Sequence, residues 1–249
     1  MRNQTSLWLA AMVSMAAVVT TQAQPHTGDL WLAVSSAGQL KTSPRAFVPD
    51  GSPASVVVLE ETGGPLFFGW TSNNPGFDDI ETPDPENNCY PLASGATLWL
   101  EIVSLDPALV VWDVQLHPYM NPGERAYLGT TPGNVHSHLI WHINSRYPNF
   151  EPLYGLKVHW RAMFRLVDTG GTGYGASAPF PMIFGIVECV TGDVNGDGRV
   201  DFGDINPYVE VLLQPGQATV EQRCAADINL DGWVDFGDIN PFVNLLTNP

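Results

Sequence analysis

Apolar and polar residues alternate most cleanly in LKVHWRAMFRLVD, residues 156–168. Leu156, Val158, Trp160, Ala162, Phe164 and Leu166 fall on one face, and Lys157, His159, Arg161 and Arg165 on the other. A period of two predicts a strand with one buried and one solvated side. Shorter stretches of the same kind are DLWLAV, SVVVLEE, LFFGW, TLWLEIV, ALVVWDVQL, SHLIWHI and MIFGIV, all within residues 28–188. Turn-forming segments such as DPENNCYP, MNPGE and TGGTGYG separate them. About eight strands at this spacing, with no long helical periodicity, predict an antiparallel β-sandwich or jelly roll. Six of the eight tryptophans, at 31, 70, 99, 112, 141 and 160, lie in this region and are expected to divide between core and surface.

The pattern changes at both ends. Residues 1–23 combine Arg2, an apolar run from Leu7 to Val19 and small residues around Ala23, the layout of a secretory signal peptide. That run is too short for the ~20 residues that span a bilayer. The expected division is therefore a signal peptide over 1–23, a β domain over 24–189 and a small module over 190–249. Export implies a secreted or cell-surface protein.

Charge sharpens the last boundary. The chain carries a net charge of −16, which argues against nucleic-acid partners and anionic membrane surfaces. Half of that charge lies in residues 190–249, where ten acids face only Arg199 and Arg223. In this tail the octapeptide VDFGDINP occurs twice, at 200–207 and 234–241. Each copy closes a twelve-residue segment, DVNGDGRVDFGD from Asp193 or DINLDGWVDFGD from Asp227. Calcium loops use oxygen ligands at positions 1, 3, 5, 7 (a backbone carbonyl), 9 and 12, with glycine at 6. The ligand sets are thus Asp193, Asn195, Asp197, Arg199, Asp201 and Asp204, and Asp227, Asn229, Asp231, Trp233, Asp235 and Asp238. All are hard oxygen donors, so two Ca2+ ions are expected. PYVEVLL and PFVNLL after the loops predict short helices, capped by Asn206 and Asn240 with Pro207 and Pro241 at their first positions.

With Asp rather than Glu at position 12 of both loops, the tail resembles a type I dockerin. The FGDINP form is similar to dockerin-like tails on exported proteins of planctomycete-type bacteria. The resemblance implies a loop-helix module that binds a protein partner, a cohesin or another. Partner recognition in that family uses positions 10 and 11, here Phe202-Gly203 and Phe236-Gly237. The alternative for these phenylalanines is the module's own core. Dockerins commonly tether polysaccharide-degrading enzymes, so a glycoside hydrolase or a carbohydrate-binding accessory is the rival to a non-enzymatic binding or structural β domain. GDLWL, NNPGFDD, LASGATLWLEI, HLIWHINS and DTGGTGYGASAPF resemble a domain of uncharacterised exported bacterial proteins, which implies no activity.

Cys189 and Cys224 flank the repeats at near-equivalent positions and are expected to form a disulfide, leaving Cys89 as a buried thiol. In GNVHSHLIWHI, His136 and His138 share a strand face, and with His142 give an H-x-H-x3-H order similar to the cupin metal motif, His142 standing where that family has Glu. On an extended strand His142 is about 13 Å from His138, too far for the same ion unless the strand bends, so His117 or His159 from another strand is the alternative third ligand. Zinc is the expected ion; solvated surface histidines are the other reading. Asp78, Asp79, Glu81, Asp84 and Glu86 lie in one acidic stretch, expected as an exposed loop. No G-x-S-x-G elbow, P-loop, dinucleotide fingerprint or H-E-x-x-H occurs.

Overall fold

The computed structural model describes residues 28–247 apart from 46, 65, 133 and 134; the signal-peptide segment lies outside the described residues. Thirteen strands appear among them: β1 (Leu30–Val34), β2 (Leu40–Ser43), β3 (Val56–Val58), β4 (Glu60–Gly63), β5 (Phe68–Ser72), β6 (Phe77–Asp79), β7 (Thr97–Leu105), β8 (Leu109–Trp112), β9 (Pro118–Tyr119), β10 (Arg125–Thr130), β11 (Ile140–Asn144), β12 (His159–Asp168) and β13 (Phe180–Gly185). Four helices accompany them: α1 (Phe150–Tyr154), α2 (Ile205–Leu213), α3 (Val220–Ala226) and α4 (Ile239–Thr247).

Two five-stranded sheets, ordered β10-β7-β12-β13-β3 and β4-β5-β11-β8-β9, face each other, and a three-stranded sheet β2-β1-β6 adjoins them. The inward faces meet through aromatics. Trp141 of β11 lies 5.7 Å from Phe164 and 5.2 Å from Phe184, ring centroid to ring centroid, across the gap. Fully burying such rings contributes roughly 1.5–3 kcal/mol each, so these facing strands carry most of the sandwich. Pairing is antiparallel except for β1 with β6 and β13 with β3, which are parallel. Strands β2, β6 and β9 fall outside the sequence-derived set because they are brief, and β10 because an irregularity between Tyr127 and Gly129 breaks its alternation.

Along β12 the expected inward face holds for Val158, Trp160, Ala162, Phe164 and Leu166, whereas Leu156 is 41% exposed. On the expected solvent face Lys157 and His159 are buried. The reason lies outside the sheet: the tail covers them.

The tail builds a small core in which Tyr208 and Phe242, 34 positions apart, stack at 4.2 Å. Val194, Val211, Ala225, Ala226 and Ile228 surround the pair. Cys189 and Cys224 are joined in a disulfide, and Cys89 is a buried free thiol. The helix starts differ from expectation. Asp201 and Asp204 form a capping box around a 3-10 turn at Phe202–Asp204, and α2 follows directly; Asp235 and Asp238 repeat this before α4. Two carboxylates three residues apart satisfy each other's backbone donors. Asn206 and Asn240 therefore sit inside the first helical turn rather than at its cap.

Candidate calcium loops and docking faces

In the first loop the Asp193 carboxylate accepts from the backbone N–H groups of Gly196, Asp197 and Gly198 at 2.9–3.1 Å. Asp204 closes the loop, accepting from Asn195 N and Asp201 N at 3.0 Å. The second loop repeats this, with Asp227 accepting from Asp231 and Gly232, and Asp238 from Asn229 and Asp235. The chain thus wraps its carboxylates inward, and Asp204, Asp227 and Asp238 are buried. Burial, reinforced by the charges of Asp227 and Asp231, pushes the Asp238 carboxyl up to about 6. A pocket of crowded, desolvated oxygens fits a hard divalent cation, whose charge offsets that cost.

The loops differ in what lies around them. Asn195 to Arg199 are exposed, whereas Leu230 and Gly232 are buried. The second loop is seated on the start of β12. Val158 N donates to Gly232 O at 3.2 Å, and His159 Nδ1 donates to Asp227 Oδ2 at 2.8 Å with both side chains buried. The Lys157 ammonium lies 5.6 Å from the centre of the Trp233 ring while donating to Asp106. His159, expected to face solvent, is thus a partner of a calcium-loop carboxylate. No local sequence signal marks that role, because the contact spans 68 positions.

The twin phenylalanines are settled by exposure. Phe202 is 73% exposed and Phe236 76%, so neither belongs to the module's core. Each begins an exposed apolar ridge, Ile205 and Val209 after the first and Ile239 and Val243 after the second. Residues 191–244 match the family described as the dockerin type I domain. The tail is a type I dockerin module. No curated protein and no solved structure matches the chain. Dockerin domains generally bind calcium and attach to cohesin-type protein partners, which supports residues 191–244 as a protein-protein attachment module. Among the described residues no helix is long and apolar enough to cross a membrane.

In the β part, His136 and His138 come together with ring centroids 5.0 Å apart, but His142 does not join them. It is buried in β11, where Nε2 meets Phe68 O at 3.0 Å and Trp112 Nε1 donates to Nδ1 at 3.3 Å. A carbonyl oxygen only accepts, so Nε2 carries the proton and Nδ1 the lone pair. Burial lowers its pKa. The third place in the cluster is taken by Asp29, the residue just before β1. His117 instead meets Asp113 on an exposed turn.

The acidic stretch is only partly an exposed loop. Asp78 and Asp79 lie on β6, where burial raises both carboxyls. Being consecutive on a strand they project to opposite faces, so they do not make the facing carboxylate pair of a glycoside hydrolase. Asp84 is buried and held by Arg45 and Asn87. Glu101 is clamped between Arg125 and Arg165, whose hydrogen bonds and charges hold its carboxyl low against the opposing effect of burial. An open groove of about 660 Å³ runs past Val56, Phe67, Asn73, Pro75 and Ile140.

Proposed function

We propose that this is an exported attachment protein whose dockerin, loaded with two calcium ions, docks a protein partner through Phe202-Gly203 or Phe236-Gly237. The β-sandwich is the binding or structural cargo that the dockerin displays. The carrying observation is the exposure of Phe202 and Phe236 at equivalent places in a symmetric module. Large aromatics left in water at two matched points are unlike ordinary scattered surface residues, and exposed apolar ridges of this kind mark interaction surfaces.

Calcium is held in this reading by Asp193, Asn195, Asp197, the Arg199 carbonyl, Asp201 and Asp204, and by Asp227, Asn229, Asp231, the Trp233 carbonyl, Asp235 and Asp238. It supplies the charge that lets these carboxylates stay buried together. The capping boxes then transmit loop closure to α2 and α4, which carry the two ridges.

The test is binding to a panel of cohesin-type domains with and without calcium. Calcium-dependent binding is expected, little changed by Phe202→Ala or Phe236→Ala alone and lost in the double variant, since either ridge suffices. Because both rings are exposed, folding stability should move by no more than ~0.5 kcal/mol. Binding indifferent to the double substitution contradicts the reading.

A further inference from the structure

We propose that Asp29, His136 and His138 form a site for one divalent transition-metal ion, zinc by donor chemistry, on the β-sandwich. Three separate segments are brought to it by backbone pairing. Leu30 N donates to Gly76 O at 2.9 Å, and Phe77 and Ser137 exchange two hydrogen bonds of 2.8 and 3.0 Å. Ser137 faces Phe77, so its neighbours His136 and His138 project together on the other side, beside Asp29.

The Asp29 side chain is fully buried. Its Oδ1 accepts from Gly76 N at 2.8 Å, while Oδ2 has no hydrogen-bond donor. A buried carboxylate oxygen without a donor is destabilising, and a bound cation offsets that cost. His138 is set for the same ion. Its Nδ1 lies 2.8 Å from Asn73 O; a carbonyl only accepts, so Nδ1 carries the proton and Nε2 is turned inward. That carbonyl-held imidazole is the orientation that metal-ligating histidines require. Nε2 stands 3.7 Å from Asp29 Oδ2. This is too long for a hydrogen bond, yet near the ~3.4 Å that separates two ligands of a tetrahedral ion bound at about 2.1 Å.

One ligand atom from each of the three residues lies within 4.8 Å of the others, so closure onto an ion needs only small side-chain movements. Asp78 Oδ2, 3.7 Å from His136 Nδ1, adds a second carboxylate beside the cluster. Gly76 is part of the design: a Cβ there would come within 2.6 Å of the His138 ring. Two imidazole nitrogens make the set unsuitable for calcium, which takes oxygen ligands. The site is therefore chemically distinct from the dockerin loops, and three protein ligands leave a coordination position for water or substrate.

The full-length protein, stripped with chelator and returned to excess calcium so that the dockerin is filled, is titrated with Co2+ as a spectroscopic substitute for zinc. One equivalent should bind with the visible bands of a low-coordinate nitrogen–oxygen site and be displaced by Zn2+. His136→Ala and His138→Ala should abolish the bands. Asp29→Asn keeps the Oδ1 that accepts from Gly76 and so preserves the fold, checked by near-ultraviolet circular dichroism. It should weaken binding beyond the roughly 10–100-fold typical of losing an outer partner. Absence of the cobalt bands in the wild type, or bands unchanged by Asp29→Asn and His138→Ala, overturns the proposal. Neither result bears on the dockerin reading, which rests on other residues.

Discussion

The two calcium loops carry the same residues at positions 1, 3, 5, 6, 8, 9, 10, 11 and 12, yet one stands in water and the other is built into the sandwich. They differ conservatively at position 2, Val194 against Ile228, both in the module's core, and more sharply at position 4, Gly196 against Leu230, and at position 7, Arg199 against Trp233. The last two differences belong to the seated loop. Leu230 is buried although its backbone is left-handed, with φ at 56°, a conformation that costs a non-glycine residue about 1–2 kcal/mol. Burying a leucine contributes about as much or more. Trp233 offers its ring face to Lys157. Matching sets of candidate ligands are thus combined with one loop left free and one used as a joint. The Cys189–Cys224 disulfide holds α3, and with it the entry to the second loop, close to the end of β13.

Removing calcium should have the largest effect. The dockerin is small and its carboxylates are crowded, so chelation is expected to melt α2 and α4 while the sandwich keeps its near-ultraviolet signal. The two loops should not empty together, because His159 and Val158 support the second one and nothing equivalent holds the first among the described residues. Calorimetric titration should resolve two unequal sites; two identical sites would break the comparison.

A matched pair of substitutions sharpens it. Gly198 and Gly232 occupy position 6 with φ of 85° and 96°. At Gly198 a Cβ meets open space, so Gly198→Ala should cost only the ~1–2 kcal/mol of a left-handed alanine. At Gly232 a Cβ overlaps the carbonyl of His159 and the side chain of Lys157. Gly232→Ala should therefore cost a further ~1–3 kcal/mol for forced displacement, read by chemical denaturation in calcium. Equal costs would mean the seat is not formed.

The smallest expected effect belongs to the sandwich alone. Burial holds the His142 pKa below 6.5 in the folded state, so the unfolded chain takes up the proton first as pH falls. The contribution of neutral His142 is complete above pH 6.5 and declines below it. His142→Gln should flatten that part of the stability–pH curve while leaving cobalt binding unchanged, which also separates His142 from the cluster at His136.

Local pattern carried much of this. The twin DxNxDG loops marked the tail as a dockerin module, and the alternation in 156–168 located the central strand of a sheet. What local pattern missed was set by distant contact. His159 and Lys157 looked solvated because nothing near them announces a loop 70 residues on. Asp29 showed no metal signal, since only the pairing of β1 with the segment before β6 carries it to His138. The local pattern points to Asn206 and Asn240 as caps because Asp201 and Asp204 read as ligands, which hides their second use in the capping box.

Hydrogen exchange of the calcium-loaded full-length protein tests the unequal housing of the loops most directly. Amides of 227–233, together with Val158, should exchange far more slowly than those of 193–199, and the difference should vanish in the dockerin expressed alone. Equal exchange of the two loops in the full-length chain would contradict the account.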